Sequence, residues 1–583
     1  MRAIIKKEKV MKNFSKRFCK TAGAFLLSAA ACLLAANDAR ACTAVYVGKD
    51  VSADGTTILA KSNDNQCVWP NYIDVVKRVQ KKKGRKMPVD AGRTVFAEIP
   101  ETTYKYVSTP WMDSTTAMNS LPHDAAICAN EMGVVMLMSI TSLSNDDALA
   151  ADPLVKNGLT ECAAVDLVVC QSASAREAVK VLCSIIDKYG SAEINIALIA
   201  DQKEAWYVDM YTGRQYAAVK LPADKVCVFG NEFALEYLSD YEEAIVSADL
   251  QTLPERKGFA AYGKNGELNL FKTYSGLSTF EVYSHMRTWI GHQILSPSVY
   301  GADYDKDALY PLCFSPDKKV GVQDVMEILR NRYEGTKYSP DETGRDDMRV
   351  IGTDMVMSVH VAQIFHDVPT DMSCVVWECP GPALYGVFVP ISNASLRAGA
   401  AYARNQAASE AGIFDADNYP YFRIKELCTL SVEQDSWKAY GQPVRAYWHE
   451  AEAGMTSAMA AVVKNAGAMK DKKAAKRYIS DYCAAMQDKA FYDAGKLLNQ
   501  VRWNKSKNSN TLKNARDPVT REVIENLNPI EPIKVELDSS FYKEVPQAPA
   551  GGIPLAALLL LFVALDVFAT AWLLSRRAKK DGK

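Results

Sequence analysis

The sequence has few of the residues from which many metal and nucleic-acid sites are built. Only six of its 583 residues are histidines, and none of them forms the H-E-x-x-H pattern of a zinc-binding helix. Metal-ligating residues form no close cluster along the chain, so neither a metal nor another cofactor is predicted. The 68 basic and 69 acidic residues leave a formal charge of −1. Without a basic excess, the composition indicates no nucleic-acid partner.

The cysteines do not have the spacing of a disulfide framework. Fourteen are present, and two of them, Cys19 and Cys32, lie in the first 41 residues. Setting Cys42 apart as well leaves eleven, an odd number that cannot all pair with one another. Scattered cysteines such as Cys374 and Cys379 are more typical of buried small hydrophobic residues. Disulfide pairing is therefore left open.

What the sequence does have is a secretory leader that ends just before Cys42. Residues 1–41 combine a cationic start, a short apolar run over 22–36 and small side chains at Ala39 and Ala41. An apolar run of about fifteen residues is too short to span a bilayer comfortably. Cleavage after Ala41 would leave a thiol and a free α-amine on one residue, a nucleophile and its base. The alternatives are an uncleaved anchor and a lipid-modified cysteine.

A second hydrophobic segment lies near the C-terminus. Residues 553–574 are almost wholly apolar, and the tail at 575–583 is rich in Lys and Arg. This pattern predicts a transmembrane helix with a cytoplasmic basic tail, so the chain would be anchored in the cytoplasmic membrane with its main domain outside. Asp566 opposes insertion by about 2.5–3.5 kcal/mol, which the surrounding leucines should outweigh. The polar, proline-bearing stretch 504–552 is predicted to be a flexible stalk.

Residues 42–503 have the patterns of mixed α and β structure. Short β-rich runs at 43–47 and 56–60 flank Asp54-Gly55, a tight-turn signal, so Cys42 is predicted at a strand edge. Further runs predict strands at 125–129, 134–140, 193–200, 205–210 and 215–220. A capped helix is predicted between Ser174 and Gly190. Helical apolar spacing begins near Met455, and a second helical run from about 478 to 501 follows a charged stretch at 470–476.

A series of motifs occurs along residues 42–503. They are Cys42-Thr43-x5-Lys49, Asp54-Gly55, Ala60-Lys61-Ser62-Asn63-Asp64, Asn130-Glu131-x-Gly133-Val134, Ala175-Arg176-Glu177-Ala178, Gly230-Asn231-Glu232, Arg332-Tyr333-Glu334-Gly335-Thr336, and Trp377 through Pro390. In this order they resemble the secreted dipeptidases of peptidase family C69, which belong with the N-terminal nucleophile hydrolases and are distant relatives of the choloylglycine and penicillin V amidases. The resemblance implies an α+β protein with the four-layered αββα N-terminal nucleophile fold, here with a helical C-terminal extension.

The chain departs from the family pattern at two positions. The family usually has Ala-Arg-x-Glu-Asp where this chain has Ala60-Lys61-Ser62-Asn63-Asp64. Lys61 keeps the positive charge but lacks the planar fork of arginine, so the group that it orients should be held more loosely. Asn63 removes a negative charge, which leaves the role of that position open.

The residue types also define a mechanism. The α-amine of Cys42, with a reference pKa of about 7.7–8.0, can hold the proton of the thiol while the thiolate attacks a peptide carbonyl. The resemblance implies that Asp64 hydrogen-bonds the α-ammonium and that Asn231 stabilises the oxyanion, a donor typically worth about 10²–10³ in turnover. Lys61 would add positive charge near the sulfur and favour the thiolate. The predicted catalytic residues are therefore Cys42, Lys61, Asp64 and Asn231.

Each role has a structural alternative. Asp64 and Asn231 could merely satisfy turns, and Lys61 could be a solvated charge at a strand end. Arg349 either supplies the late arginine of the related amidases or forms a surface salt bridge.

The predicted activity is cysteine-dependent hydrolysis of short peptides, chiefly dipeptides with a free N-terminus. Two alternatives stay open: an amidase acting on N-acyl amino acids or conjugated acids, and a non-catalytic, membrane-tethered binding protein on the same fold. The predicted partners are short peptides and, through the C-terminal helix, the membrane. A homo-oligomer is neither indicated nor excluded.

Overall fold

The structure is a computed structural model that describes residues 42–64, 70–111, 125–138, 141–263, 266–276, 282–345, 347–403, 414–432, 436–507 and 532–548. The predicted leader, the predicted transmembrane helix at 553–574 and the basic tail lie outside these ranges. Among the helices that the structure describes, none is both long and apolar enough to cross a bilayer.

The strands are short, and most of them are buried along their whole length. They are β1 (Ala44–Val47), β2 (Thr57–Asp64), β3 (Asp74–Val76), β4 (Lys86–Pro88), β5 (Phe96–Glu98), β6 (Tyr106–Pro110), β7 (Ala125–Asn130), β8 (Val135–Leu137), β9 (Asn195–Ala200), β10 (Ala205–Met210), β11 (Tyr216–Lys220), β12 (Val226–Phe229), β13 (Ala244–Val246), β14 (Val356–Ile364), β15 (Cys374–Pro380) and β16 (Val389–Ser392).

The helices are concentrated in the second half of the chain. They are α1 (Asp146–Ala151), α2 (Glu161–Val169), α3 (Ala175–Tyr189), α4 (Thr252–Lys257), α5 (Leu270–Tyr274), α6 (Val282–Leu295), α7 (Val322–Arg330), α8 (Pro340–Thr343), α9 (Pro420–Val432), α10 (Gln442–Ala468) and α11 (Lys472–Lys507). A π-helical turn at Trp437–Gly441 leads into α10, and short 3₁₀ turns lie at Leu238–Asp240, Thr370–Met372 and Ser540–Lys543.

A six-stranded antiparallel sheet has the order β12-β1-β2-β14-β15-β16. The predicted hairpin at the start of the chain is confirmed, because β1 pairs with β2 and Ala44 lies opposite Lys61. Gly55 in its turn has a φ of +72°, a backbone conformation that glycine adopts without steric cost. The strand β2 runs on to Asp64, four residues beyond the predicted end at residue 60. This longer strand carries the predicted site residues directly past the start of β1.

An eight-stranded antiparallel sheet has the order β13-β11-β10-β9-β8-β7-β6-β3. The predicted meander and the predicted β7–β8 hairpin are confirmed within this sheet. Its side chains alternate between two hydrophobic clusters: Leu198 faces the cluster shared with the six-stranded sheet, and Ile199 faces the cluster formed with α2 and α3. Helices α6, α7 and α9–α11 contact the six-stranded sheet. The protein is therefore a mixed α/β structure in which two sheets pack on each other and helices cover them.

The predicted capped helix is α3. The Ser174 hydroxyl accepts a hydrogen bond from the Glu177 N–H at 3.2 Å, and the Glu177 carboxylate accepts one from the Ala173 N–H at 2.7 Å. Gly190 ends the helix with a φ of +76°. These contacts satisfy main-chain groups at both ends of the helix.

The cysteines that the structure describes carry free thiols. Cys374 and Cys379 are fully buried in the six-stranded sheet, where they pack as small hydrophobic residues. Cys227 and Cys313 approach each other to 3.3 Å between their sulfur atoms.

The C-terminal helices confirm the predicted change of character, with different limits. Helix α11 begins at Lys472, inside the charged stretch expected to separate two helices, because the Asp471 carboxylate caps it by accepting from the Lys473 and Ala474 N–H groups at 2.9 and 3.0 Å. The helix continues to Lys507, past the predicted domain boundary at residue 503.

Part of the segment predicted to be a flexible stalk, 504–552, is packed in the structure. Residues 532–548, called the strap below, pack on the C-terminal helices. Ile533 and Tyr542 are buried, and the Tyr542 hydroxyl donates to Asp493 Oδ2 at 2.8 Å. The Ile533 N–H donates to the Ala439 carbonyl at 2.9 Å. Proline and polar composition suggested a solvated chain, whereas a few aromatic and aliphatic side chains are sufficient to attach it.

A buried ion pair joins the helical extension to the rest of the protein. Arg330 at the end of α7 donates to both carboxylate oxygens of Glu452 in α10, at 2.6 and 2.9 Å, and both side chains are 1% exposed. The same carboxylate accepts the Phe388 N–H at 2.8 Å. A pair of this kind is costly to break on one side, because the remaining charge stays buried.

Glu452→Gln is therefore expected to destabilise the protein by about 3 kcal/mol or more, since it leaves the Arg330 charge under-compensated. Glu450→Gln is the matched control: it lies in the same helix, but its salt bridge with Lys543 is exposed and should have no measurable effect. Thermal and denaturant unfolding of both variants test this expectation. Equal midpoints for the two variants would show that the pair does not stabilise the junction.

Candidate active site

The residue Cys42 lies at one end of the six-stranded sheet, immediately before β1. The ladder between β1 and β2 continues past the strand end: the Thr43 carbonyl accepts from the Ser62 N–H at 2.9 Å, and the Thr43 N–H donates to Ser62 Oγ at 3.1 Å. Cys42 is therefore placed beside the last residues of β2, where Lys61 and Asp64 lie. The sulfur is buried, and the main-chain N–H of Asp64 hydrogen-bonds to it.

A buried arginine on helix α6 holds the main chain at this point. The Arg287 guanidinium donates to the Cys42 carbonyl oxygen and, at 2.9 Å, to Thr43 Oγ1. Its other terminal nitrogen donates to Asn231 Oδ1 at 2.9 Å. One rigid fork therefore fixes both the main chain of Cys42 and the side chain of Asn231.

Opposing effects act on the pKa of the Cys42 thiol, and the largest of them is burial. Burial raises the pKa of Cys42, because the thiolate loses its hydration. The Lys61 charge and the Asp64 N–H lower that pKa, whereas the Asp64 carboxylate raises it. Burial in turn lowers the pKa of Lys61, opposed by the negative charges of Cys42, Glu161 and Asp64. The Lys61 ammonium also donates to the Met138 carbonyl, so it lies inside the sandwich and not at a solvated strand end.

The carboxylate Asp64 is held by a second arginine. Arg349 donates to Asp64 Oδ2 at 2.9 Å. Burial raises the pKa of Asp64, while the charges of Arg349 and Arg287 and the Ser62 hydroxyl lower it. The other oxygen, Oδ1, is buried and has no hydrogen-bond partner among the described residues. Asp64 therefore keeps one acceptor atom that can receive a proton donor from a neighbouring group.

The side chain of Asn231 follows β12 and is oriented by two contacts. Its Nδ2 donates to the Thr141 carbonyl at 2.6 Å, while its Oδ1 receives Arg287. A primary amide carries two N–H donors, so one of them stays available in this arrangement.

The departure at Asn63 lies in a buried polar network beside the site. Asn63 Nδ2 donates to Ser358 Oγ at 3.1 Å and lies 3.3 Å from His360 Nε2. His360 Nδ1 in turn contacts the Glu378 carboxylate, which also receives Asn71. The negative charge that the family pattern has at position 63 is absent here. The carboxylate that contacts His360 is that of Glu378, on the strand β15.

The structure thus brings the four predicted residues together. It adds Arg287, and it places Arg349, whose role the sequence left open, beside Asp64. The sequence pattern did not single out Arg287. A charged residue among the apolar residues Met286, Trp289 and Ile290 is unusual and could have indicated it. The alternative of a surface salt bridge at Arg349 is wrong, because its partner Asp64 is completely buried. Within the described ranges, no group of three His, Cys, Asp or Glu side chains is placed to hold a metal ion.

Comparison with known proteins identifies the family. The model of peptidase family C69 matches residues 41–450. A probable dipeptidase B of Streptococcus pyogenes serotype M1 is 28% identical over 366 residues, which are 60% of this chain and 71% of that protein. A probable dipeptidase of Latilactobacillus sakei is 30% identical over 359 residues, 60% of this chain and 73% of that protein.

Among solved structures, a mutant of the conjugated bile acid hydrolase from Clostridium perfringens aligns with 13% identity over 32% of this chain and 52% of that one. The TM-score of 0.20 is too low for that match to support a statement about the fold.

The family match covers more than half of the residues and includes every residue of the site described above. The chain therefore belongs to peptidase family C69. It is a hydrolase of peptide bonds. Helix α11 and the strap lie beyond the matched region.

Substitution of Arg287 should impair catalysis, although its contacts are with the main chain of Cys42 and the side chain of Asn231 and not with the sulfur. Arg287→Gln removes the fork that positions Cys42 and Asn231, and a misplacement of about 1 Å is enough to cost on the order of 10²-fold in turnover. Peptide turnover and thermal stability should be measured together. Arg445→Gln, which loses ion pairs with Glu327 and Glu334 outside the site described above, is the control. Equal losses of turnover in both variants would contradict the positioning role.

Proposed function

We propose that the protein is a cysteine-type dipeptidase of the N-terminal nucleophile class, with the four-layered αββα fold, and that removal of residues 1–41 creates its catalytic amine. The observation that carries the proposal is the unpartnered Oδ1 of Asp64, in a residue whose own N–H bonds to the Cys42 sulfur. An α-ammonium on Cys42 would be the proton donor that this acceptor lacks.

In the proposed reaction the α-amine of Cys42 takes the thiol proton, and the sulfur attacks the carbonyl carbon of the peptide bond. The available N–H of Asn231 donates to the resulting oxyanion, and Lys61 offsets the negative charge on the sulfur. The ammonium returns its proton to the departing amine, which leaves a thioester. Water then attacks the thioester, releases the acyl group as a carboxylic acid and restores the thiol.

A short peptide with a free N-terminus is the substrate class that we propose. The relatives reported above are named probable dipeptidases.

We also propose that the protein is exported and anchored in the cytoplasmic membrane by residues 553–574, with the peptidase domain outside the cytoplasm. The supporting pattern is the apolar segment followed by a basic tail. The leader before Cys42 supports the same topology.

The nucleophile is tested by comparing dipeptide turnover of the parent protein with that of Cys42→Ala and Cys42→Ser. Loss of the thiol should lower turnover by about 10⁴-fold or more, the scale seen when a catalytic nucleophile is removed. Mass spectrometry of the first residue and an uncleavable Ala41 variant test the amine, since the uncleaved chain should be inactive. Equal turnover of all three proteins, or a mature chain that does not begin at Cys42, would contradict the mechanism. N-acyl amino acids assayed in parallel should be poor substrates.

The role of Lys61 has a pH signature. Because its charge lowers the thiol pKa, Lys61→Met should raise that pKa and move the pH profile of Cys42 alkylation upward. The rate is followed by mass spectrometry of the peptide that contains Cys42. Lys105→Met, which removes another mostly buried lysine at a distance from Cys42, is the control and should leave the profile in place. An unshifted profile in Lys61→Met would show that the ammonium does not act on the sulfur.

A further inference from the structure

The sandwich has two distinct ends, and Cys42 lies at one of them. Along β2 the chain runs from Thr57, opposite Ile364, to Asp64, opposite Val356. Seven steps of about 3.3 Å separate these positions by about 23 Å. The turn between β14 and β15, at 365–373, is therefore far from the site.

The eight-stranded sheet also has one end near Cys42 and one end near the β14–β15 turn. Met138, whose carbonyl receives Lys61, follows β8, whereas the turn that precedes β8 packs on the β14–β15 turn. Gly133 of that turn lies directly against the Thr370 and Ser373 side chains. The turns at 130–133 and 365–373 together define what we call the basal end, opposite Cys42.

Two strongly cationic segments lie at the basal end. Residues 77–86 contain seven Lys or Arg and no acidic residue, and residues 464–477 contain six Lys or Arg and one Asp. Arg78 of the first segment pairs with Glu131 in the basal turn at 2.8 Å, and Lys476 of the second pairs with Asp371 at 2.6 Å. Lys105 lies between them: burial lowers its pKa to about 8, and the charge of Lys476 contributes.

Most of these cations are not neutralised by the protein. Besides the two pairs at Glu131 and Asp371, Lys86 approaches Glu98 at 3.9 Å on the surface. The lysines at 77, 81, 82, 83, 470 and 473 are exposed and have no ion pair with a described residue. Such a concentration of uncompensated charge contrasts with a chain whose formal charge is −1.

The chain leaves the folded domain beside the second segment. The strap follows the C-terminal helices, and the Tyr478 hydroxyl, one residue past Arg477, donates to the Pro546 carbonyl at 2.6 Å. The predicted transmembrane helix begins at 553, seven residues after Pro546. At about 3.3–3.6 Å per residue, this length cannot carry the domain far from a bilayer.

We propose that the two cationic segments form one surface that rests on anionic phospholipid headgroups, with the Cys42 end directed away from the bilayer. The charge is complementary to such lipids, and the attached strap keeps the basal end next to the point of membrane entry. Nucleic acid or another soluble polyanion would also match the charge. A soluble partner, however, would not explain why these segments lie beside the point where the chain leads to the predicted transmembrane helix. The inference uses the predicted C-terminal helix and is independent of the catalytic mechanism.

The test uses the full-length protein in nanodiscs of phosphatidylcholine, with or without phosphatidylglycerol. Amine-reactive labelling read by mass spectrometry reports the accessibility of each lysine. At the lysines of both segments, labelling is expected to fall about fivefold or more in the anionic discs. The reason is that each basic residue near an anionic surface increases the affinity of the protein for that surface by about fivefold. Salt of about 1 M should restore it. The exposed Lys306 and Lys337, outside both segments, are internal controls.

A variant with Gln at 81, 82, 83, 470, 472 and 473 completes the test. Its dipeptide turnover in detergent should equal that of the parent, which shows that it is folded, and the remaining lysines of both segments should lose their protection in anionic discs. Equal labelling of the parent in both kinds of disc would overturn the proposal. So would a protein that does not insert into discs, or protection in neutral discs that requires an added soluble polyanion.

Discussion

The antiparallel pairing of β1 with β2 is the constraint on which the rest of the site depends. Cys42 precedes β1, and the ladder continues through Thr43 and Ser62, so the last residues of β2 lie beside the sulfur. A shift of one residue would move Lys61 to the opposite face of the sheet and put its neighbours in its place. The hairpin turn at Gly55 and the pairing of β2 with β14 both stabilise the observed register.

The charged side chains around Cys42 each have specific polar partners. Lys61, Asp64 and Arg287 are buried and Arg349 is partly buried, so an unpartnered charge on any of them would be costly. Arg349 pairs with Asp64, Arg287 holds neutral oxygens of Cys42 and Asn231, and Lys61 donates to the Met138 carbonyl and acts electrostatically on the sulfur. In this low-dielectric setting the interactions are strong, so small displacements change the pKa of the thiol appreciably. The site therefore needs the rigid sandwich around it.

The helical extension has a different physical role. It is joined to α7 by the buried Arg330–Glu452 pair and holds the strap through Tyr447, Tyr542 and Asp493. Because the strap is packed and not free, the direction in which the chain leaves the domain is determined by the fold. The end that carries Cys42 and the end at which Pro546 contacts Tyr478 are consequently on opposite sides of the sheets.

Local sequence determined much of this structure. The Asp54-Gly55 hairpin, the capped helix at 175–189 and the motifs around Cys42, Lys61, Asp64 and Asn231 depend on neighbouring residues, and their physical causes act over a few positions. Only the tertiary structure decided the role of Arg287, which lies 245 residues from the carbonyl that it holds. It also decided that Arg349 is a buried partner of Asp64 and that a proline-bearing segment packs as a strap. Charge compensation and burial depend on which distant segments meet, and that information is not contained in any local pattern.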